Sequence, residues 1–276
     1  MEKHNSNRIS TIILFVLSLP LFILYFFFFL DVFTVPSTDS IWPESFTLVH
    51  WRFLTETLSG KPSIWITTLN TLIFSGCVVA IVLVLSSTAG YALSRLKMPY
   101  RSQLLGTLLL LHSFPSVSLL IAIFIILQMI GLYDTLIGVI IIKASLELPF
   151  GIWIMKGFYD TVPWEIEMSG VQDGASRFTV WYKLILPQIY PGLAALSIFS
   201  FISSWGEYVL PFVLAPSAEQ QTLSVYLAGL LSETTAVDYG LLKAVGLFYM
   251  LPVMIFYIFT HEKLMNIYGG GGGSKG

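Results

Sequence analysis

The chain has 276 residues, of which 55% are hydrophobic, 15% aromatic and only 11% charged, and its mean hydropathy is +0.80. A water-soluble domain of this length could not cover so many apolar side chains with polar surface, which excludes a soluble globular protein. The formal net charge is −2. As for any integral membrane protein, membrane lipid is an expected partner, and nucleic acid is not expected.

Six apolar segments are long enough to cross a bilayer, for which a helix needs about 20 apolar residues. They cover residues 9–33, 64–93, 104–130, 136–158, 189–214 and 239–260. The first is longer than the apolar part of a secretory signal, and no small-residue cleavage pattern follows it, so we predict an uncleaved helix. The sequence therefore predicts an all-α integral membrane fold with six transmembrane helices.

Six spans leave little room for a second domain. We predict a cytoplasmic N-terminus at 1–8, one transmembrane domain at 9–268 and a Gly-rich C-terminal tail at 269–276 that is either native sequence or an added linker. The single cysteine, Cys77, lies within the second span and is expected to pack as a small apolar side chain.

The distribution of basic residues predicts the orientation, because loops rich in Lys and Arg stay in the cytoplasm. The loops and termini on one side of the predicted membrane carry Lys3, Arg8, Arg95, Lys97, Arg101, Lys156, Arg177, Lys183, Lys263 and Lys275. The other side carries Arg52 and Lys61. Both termini are therefore expected to be cytoplasmic.

The connection between the first two spans, residues 35–63, is longer than a hairpin loop. Its first half contains Trp42, Pro43 and Glu44, and Trp51 follows, a mixture of turn formers and aromatic residues suited to the headgroup region. We expect a short interfacial helix there, and a contact with a partner is the alternative.

The connection between the fourth and fifth spans, residues 160–188, is polar enough to leave the bilayer. Pro163 suits the first position of a helix, and the carboxylates of Glu165 and Glu167 complement the positive end of that helix. Asp173-Gly174 supplies a stop at which the glycine can adopt a positive φ.

A second short helix fits residues 176–184 of the same connection. We expect it to end at Pro187, because the residue before a proline is pushed out of α geometry. The prediction is a helix–turn–helix presented to the cytoplasm. Its apolar residues, which either form an interaction surface or pack back on the spans, are Trp164, Ile166, Met168, Val171, Phe178, Trp181 and Tyr182.

The spacing within this connection resembles the signature of the integral-membrane subunits of binding-protein-dependent ABC importers. That signature reads E-A-A, three residues, G, nine residues, I-x-L-P. Here Gly174 is followed after nine residues by Leu184-Ile185-Leu186-Pro187, which matches the second half. The first half does not match, because the register places Met168-Ser169-Gly170 at the E-A-A positions.

In that family the segment is the coupling helix that docks in a cleft of the ATPase subunit, where its glutamate meets a basic residue. Met168 cannot make that contact, and the resemblance implies that Glu167 or Glu165 substitutes for the missing glutamate. The residues expected to form the coupling element are Glu165, Glu167, Met168, Ser169, Gly170, Asp173, Gly174, Leu184, Leu186 and Pro187.

The resemblance covers most of the chain and is closest to the sugar-importer branch, which contains the maltose and trehalose permeases. It is carried by residues 70–72, 89–95 and 148–153, and by the run 205–208, which resembles the family's W-N-E with Gly206 in place of Asn. Permeases for polyamines, phosphate or amino acids share the coupling loop, so a non-sugar solute is the alternative.

The resemblance also implies partners and a location. We expect a multi-pass subunit in the cytoplasmic (inner) membrane of a prokaryote, paired with a second permease as a heterodimer. Two copies of a cytoplasmic ABC ATPase would hold ATP and Mg, so this chain itself needs no cofactor and is not an enzyme. An extracytoplasmic sugar-binding protein would deliver a di- or oligosaccharide such as maltose or trehalose to outer residues around 219–238.

Lys143, Glu147 and Glu207 lie away from the ends of their predicted spans, and each charge near the bilayer centre costs roughly 2.5 to 3.5 kcal/mol. Lys143 and Glu147 are four residues apart and share one helix face, so they could pair, while Glu207 lies beside Trp205 and Tyr208. They either face a translocation path, where carboxylates accept sugar hydroxyls, or form an internal ion pair. The full set of candidate path residues is Glu207, Trp205, Tyr208, Asn70, Lys143 and Glu147.

The sequence lacks the patterns of an energy-converting or catalytic site. Gly60-Lys61 is followed by Pro62 and has no upstream glycine, so it does not form a phosphate-binding loop. The four histidines are scattered without metal-ligand spacing, and His112 in the third span is expected to be a packed, hydrogen-bonded residue. A stand-alone channel, a secondary transporter and a membrane enzyme are the remaining rival classes, and the sequence supplies neither an inverted repeat nor a nucleophile with a base for them.

Overall fold

A computed structural model describes residues 2–35, 45–232 and 237–269. The chain divides into two compact units, one made of Met1–Ser63 with Leu227–Tyr249 and the other of Ile64–Tyr226 with Met250–Gly276. Helix dominates the described residues of both, as an all-α membrane protein requires, because in lipid a helix satisfies its own backbone hydrogen bonds.

The helices are α1 (Glu2–Val32), α2 (Ile64–Arg95), α3 (Arg101–His112), α4 (Leu120–Met129), α5 (Leu136–Thr161), α6 (Trp164–Gln172), α7 (Arg177–Val180), α8 (Tyr190–Trp205), α9 (Val209–Leu214), α10 (Leu223–Leu231) and α11 (Tyr239–Gly269). Short 3-10 turns cover Val49–Leu54, Ser116–Leu119, Leu186–Ile189 and Ala218–Gln220, and a π-helical turn covers Trp181–Ile185. The strands β1 (Thr34–Val35) and β2 (Ser45–Phe46) pair antiparallel, with Thr34 opposite Phe46.

Five helical runs within the described residues are long and apolar enough to cross a membrane, namely Ile13–Val32, Ile64–Arg95, Leu136–Thr161, Arg177–Trp205 and Tyr239–Phe259. A sixth span exists only if α3 and the segment Ser116–Met129 cross together, and these two pieces meet at an angle of 89°. Several membrane-spanning helices are therefore present, and the count of six stays a prediction.

The first unit is held together by aromatic contacts and ion pairs around the 3-10 turn Val49–Leu54. Phe53 is only 2% exposed, stacks on Trp51 with ring centroids 5.8 Å apart, and meets Phe248 edge-on at 5.8 Å. At the end of α1, Asp31 accepts a hydrogen bond of 2.5 Å from the Lys243 ammonium. The apolar residues Ile13–Phe29 of α1 present mostly exposed side chains.

The core of the second unit lies where α2 packs along α5, with α8 against α2. Its fully buried apolar side chains include Phe74, Val78, Val82, Val139, Met155 and Tyr159. α2 and α5 approach each other closely because glycines lie at their contact, where a larger side chain would collide with the opposite helix. A Cβ atom on Gly151 would lie 2.4 Å from Ser86 Oγ, and one on Gly90 would lie 2.9 Å from the Lys156 backbone nitrogen. Small residues of this kind let transmembrane helices pack tightly.

The outer segment 35–63 differs from the expectation. The expected interfacial helix is present only as the six-residue turn Val49–Leu54, and the β1–β2 ladder before it had no counterpart in the sequence analysis. Trp42, Pro43 and Glu44 lie outside the described residues. So do residues 270–276 of the Gly-rich tail and residues 233–236 of the outer segment expected to meet a binding protein.

Candidate functional site

Two helices of the second unit are interrupted within their apolar segments. α3 ends at His112 and helical structure resumes at Ser116 after the bend. Pro115 lies in this break with an extended backbone (φ −60°, ψ 125°). The second break, at residues 206–208, separates α8 from α9. Non-helical backbone at membrane depth is tolerated only where it is buried in protein or lines a cavity, so the breaks indicate such a place.

A cavity of about 180 Å³ collects side chains from both breaks. Its lining residues are Leu111, His112, Phe114, Ser116, Lys143, Leu146, Glu147, Ser203 and Glu207. The first four come from the α3 break, the next three from α5, and the last two from the α8–α9 region. A polar cavity within an apolar bundle is where a membrane protein accommodates a polar solute.

The three charged residues of this cavity form one cluster. The Lys143 ammonium lies 2.7 Å from Glu207 Oε2 and 3.4 Å from Glu147 Oε1, and all three side chains are between 10% and 15% exposed. Ser200 Oγ donates a hydrogen bond of 2.5 Å to Glu147 Oε2, and the Leu210 amide donates one of 3.3 Å to Glu207 Oε1. The predicted contact between Lys143 and Glu147 is thus present, and Glu207 completes it from another helix.

The cluster carries one ammonium and two carboxylates, so its formal charge is −1 (+1 − 2). Glu147 Oε1 is buried and accepts no hydrogen bond, although it is in ionic contact with Lys143. Carboxylates accept hydrogen bonds and an ammonium donates them, so the cluster can exchange its internal contacts for those of a solute rich in hydroxyl groups.

Three of the expected path residues, Trp205, Tyr208 and Asn70, do not line this cavity. Trp205 is 1% exposed and stacks on Phe201 at 5.5 Å, so it is part of the core. Tyr208 is 36% exposed and stacks on Phe212 at 5.2 Å. Glu207, which lies in the break between α8 and α9, is the residue of this run that lines the cavity.

Asn70 joins two parts of the chain through its side chain. Its side-chain amide donates hydrogen bonds to two backbone carbonyls, those of Glu219 at 2.8 Å and Gln221 at 3.0 Å. The next residue, Thr71, accepts one of 2.8 Å from the Leu223 amide. These contacts fasten the segment after α9 to the start of α2.

His112 was expected to be a packed residue, and the structure places it at the α3 break on the cavity wall. Its ring stacks on Phe150 with centroids 5.3 Å apart, and Nδ1 lies 3.4 Å from the Leu146 carbonyl oxygen. Pro115, three residues later in the same apolar segment, was the signal in the sequence that could have indicated a break here.

The first half of the connection between α5 and α8 forms a helix–turn–helix, as the sequence predicts. α6 follows Pro163, which stands one position before the helix, and Gly174 has the expected positive φ of 84° after it. Ser176 then caps α7, because its hydroxyl accepts a hydrogen bond of 3.2 Å from the Thr179 amide. α6 lies directly on α7, since a Cβ on Gly170 would lie 2.9 Å from Val180.

One face of this helix–turn–helix carries exposed apolar side chains. Phe178 is 71% exposed and Tyr182 59%, and their rings stack with centroids 6.5 Å apart. Trp164, Val171 and Leu184 are also exposed, while Val180 and Ile185 are buried on the other side. An exposed apolar surface of this kind marks a contact with another protein or with the membrane.

Comparison of the sequence with known protein families shows which family contains this cavity and this helix–turn–helix. Residues 83–261 match the family described as the binding-protein-dependent transport system inner membrane component, and this match covers more than half of the chain. The chain belongs to this family. The matched region includes the cavity and the helix–turn–helix.

Curated relatives of this inner-membrane component include permease proteins of sugar uptake systems. A diacetylchitobiose uptake system permease protein of Streptomyces coelicolor is 28% identical over 94% of this chain and 93% of its own length. A trehalose transport system permease protein of Mycobacterium tuberculosis is 30% identical over 67% of this chain and 68% of its own length.

Solved structures share the fold of this inner-membrane component at low sequence identity. A bacterial ABC transporter involved in the import of the acidic polysaccharide alginate contains a chain with a TM-score of 0.78, 21% identity and coverage of 93% of this chain and 97% of that one. A methionine ABC transporter in inward-facing conformations gives a TM-score of 0.56 at 15% identity, with coverage of 74% and 93%. One fold therefore occurs in transporters for very different solutes.

The inner-membrane component places its two candidate coupling glutamates differently. Glu165 is exposed on α6. Glu167 is only 1% exposed, accepts a hydrogen bond of 2.7 Å from the Tyr91 hydroxyl and lies 3.3 Å from Arg95 Nε. The expectation that Glu167 offers its carboxylate to an external basic residue does not fit this placement, because the charge is already engaged inside the chain.

The remaining residues of the expected coupling element are distributed over both faces. Ser169, Asp173, Gly174, Leu184 and Pro187 are exposed, Met168 and Leu186 are half-buried, and Gly170 is buried.

The predicted helix end at Pro187 is wrong in this inner-membrane component. Leu186 keeps α geometry (φ −56°, ψ −41°), and Pro187 lies in the first turn of the segment Leu186–Ile189, which leads directly into α8. Proline is tolerated in the first turn of a helical segment, because its missing amide hydrogen would have no partner there. A π-helical turn, Trp181–Ile185, comes directly before this segment.

Proposed function

We propose that this chain is one permease subunit of an ATP-driven importer that carries a di- or oligosaccharide across the cytoplasmic membrane of a prokaryote by alternating access. The observation that carries the proposal is the charged cavity at the two helix breaks. It occurs in a chain that belongs to the family of binding-protein-dependent transport components. The uptake systems of its curated relatives, for diacetylchitobiose and trehalose, support a sugar as the solute.

The cavity supplies chemistry that suits a sugar. Glu147 and Glu207 accept hydrogen bonds from hydroxyl groups, the Lys143 ammonium donates to ring and hydroxyl oxygens, and Ser203 can do both. Apolar walls from Leu111 and Phe114 would cover the less polar faces of a sugar ring. The formal charge of −1 opposes anionic solutes, so a neutral sugar fits better than an acidic one.

The source of energy would lie outside this chain. The exposed face of α6 and α7, with Phe178 and Tyr182 at its centre, is the surface that we assign to a cytoplasmic ABC ATPase holding ATP and Mg. Two copies of that ATPase would serve this chain and a second permease, which we expect to be a different polypeptide. Both termini would then lie in the cytoplasm, on the side of the coupling element.

The delivery of solute would use the opposite side. The segment between α9 and α10 is held in place by Asn70, by Asp134, which accepts hydrogen bonds from the Ser217 amide (3.0 Å) and hydroxyl, and by Gln220, which accepts one of 3.1 Å from the Leu136 amide. A fixed outer segment is a suitable contact for an extracytoplasmic binding protein, and we assign residues around 219–238 to it.

The test is isolation of the whole complex through a tag on this chain after gentle solubilisation of the native membrane. Mass spectrometry should identify an ATPase, a second permease and a binding protein. Liposomes containing the complex should then take up trehalose, maltotriose or diacetylchitobiose only when ATP is present. Recovery of this chain alone, or uptake without ATP, would contradict the proposal and favour a channel.

A second candidate is a permease for a non-sugar solute. It is supported by the occurrence of the same fold in a methionine transporter. In the liposome experiment, ATP-dependent uptake of methionine or spermidine without uptake of any of the three sugars would decide for this candidate.

A further inference from the structure

The side chain of Arg95, the last residue of α2, joins the ends of three helices. Its Nη2 donates hydrogen bonds to the backbone carbonyls of Tyr159 at 3.0 Å and Val162 at 2.6 Å, at the end of α5. Its guanidinium carbon lies 5.3 Å from the ring centre of Trp164, the first residue of α6. Only 7% of the side chain is exposed. This one residue therefore contacts α5 and α6 while belonging to α2.

Glu167 completes the junction from within α6. Its Oε2 lies 3.3 Å from Arg95 Nε, in ionic contact without the alignment of a hydrogen bond, and its Oε1 accepts the 2.7 Å bond from Tyr91 of α2. A carboxylate that is 1% exposed would be strongly unfavourable without these two partners.

The junction crosses a place where the backbone could bend. α5 ends at Thr161, and α6 begins at Trp164. The two residues between them have extended backbones, with ψ values of 124° at Val162 and 136° at Pro163, so no continuous helical hydrogen bonding stiffens the connection. Without side-chain contacts across it, α6 could turn relative to α5.

We propose that Arg95 and Glu167, together with Tyr91, form a rigid joint that transmits movement of α6 to α2 and α5. This inference rests on the proposed function, in which an ATPase moves α6. Arg95 and Glu167 are positioning residues, since neither contacts solute or nucleotide. A buried ion pair contributes little to stability compared with a well-packed apolar pair, whereas it holds two elements in one fixed geometry.

The experiment measures ATP hydrolysis and sugar uptake by the whole complex in liposomes, with trehalose, maltotriose and diacetylchitobiose as solutes. Glu167→Gln retains the size of the side chain and removes its charge. We expect assembled complexes that still hydrolyse ATP, with the number of ATP molecules hydrolysed per sugar imported raised about fivefold or more, a typical size for loss of coupling between two sites. Tyr91→Phe removes one hydrogen bond from the same carboxylate and should raise this ratio to a smaller extent.

Asp160→Asn is the matched control. Asp160 lies at the same end of α5, accepts hydrogen bonds from Ser94 at 2.6 Å and Lys156 at 2.5 Å, and loses the same charge, yet its ion pairs do not include a residue of α6. Its ratio of ATP hydrolysed to sugar imported should equal that of the wild type. A merely structural role of Glu167 would lower assembly, hydrolysis and uptake together and would leave the ratio unchanged.

The outcomes separate this joint from the proposed function. A wild-type complex that couples ATP to sugar uptake, with an unchanged ratio in Glu167→Gln, would overturn the joint alone. If Glu167→Gln does not accumulate in the membrane, an unchanged ratio in Tyr91→Phe would overturn it equally. A wild-type complex that neither hydrolyses ATP nor imports any of the sugars would contradict the proposed function and the joint with it.

Discussion

Lys143 lies between the carboxylates of Glu147 and Glu207. The loss of each of these three charges should therefore change stability by a different amount. Glu207 is the closer partner at 2.7 Å, and Glu147 lies at 3.4 Å with a hydrogen bond from Ser200 as well. Removal of either carboxylate leaves the ammonium with one partner. Removal of the ammonium leaves two buried like charges without compensation.

We therefore expect Lys143→Met to be the most destabilising of the single changes in this cluster. The free energy of unfolding should fall by about 3 to 5 kcal/mol, the usual effect of breaking a buried ion pair. Glu207→Gln should have a smaller effect and Glu147→Gln the smallest. The midpoint of thermal unfolding of the purified protein in detergent measures this order.

Lys156→Met is the control for this prediction. Lys156 pairs with Asp160, whose side chain is 38% exposed, so its loss should change the free energy of unfolding by about 1 kcal/mol or less. Equal effects of Lys143→Met and Lys156→Met would mean that the intramembrane cluster is open to water and is not a closed ion network.

At the scale of elements, the contact between α2 and α5 depends on glycines that touch the opposite helix. We expect Gly90→Ala to lower the free energy of unfolding by about 1 to 3 kcal/mol, because the new Cβ would lie 2.9 Å from the backbone nitrogen of Lys156, which cannot rotate away. Thermal unfolding in detergent provides the measurement.

Gly157→Ala, on α5 itself, is the matched control for this change. No atom lies within 4 Å of its added Cβ, so the substitution should leave stability unchanged or raise it by up to about 1 kcal/mol through helix propensity. If both glycines tolerated alanine equally, close packing of α2 on α5 would not be a source of stability.

Hydropathy predicts the straight helices that cross the bilayer, but it does not predict where an apolar segment bends within it. The predicted segments 64–93 and 136–158 agree with α2 and α5, because apolar length alone makes a spanning helix in lipid. Residues 104–130 are equally apolar, yet α3 turns through 89° before α4. A proline permits either a gentle kink or a full break, and contacts with other helices choose between them.

The contacts of the candidate site could be predicted only where the contacting residues lie close to each other in the sequence. Lys143 and Glu147 are one helical turn apart, so their contact follows from spacing. The burial of Glu167 depends on Tyr91, which lies 76 residues earlier, and no periodic pattern links positions on two such helices. The turn at Gly174, by contrast, follows from the residue itself, since glycine adopts a positive φ readily.

At the scale of the whole molecule, the exposed apolar face of α6 and α7 is the surface that we propose meets the ATPase. Phe178 is 71% exposed and stacks on Tyr182, so a charge at this position should not disturb the core of the permease, whereas it would be buried against a docked ATPase. We expect Phe178→Asp to reduce co-purification of the ATPase with this chain by at least tenfold.

Thr161→Asp adds the same charge at the exposed end of α5 and should leave the yield of ATPase unchanged. Both variants should elute as folded protein in size-exclusion chromatography. Undiminished recovery of the ATPase with Phe178→Asp would contradict the assignment of this face as the coupling surface.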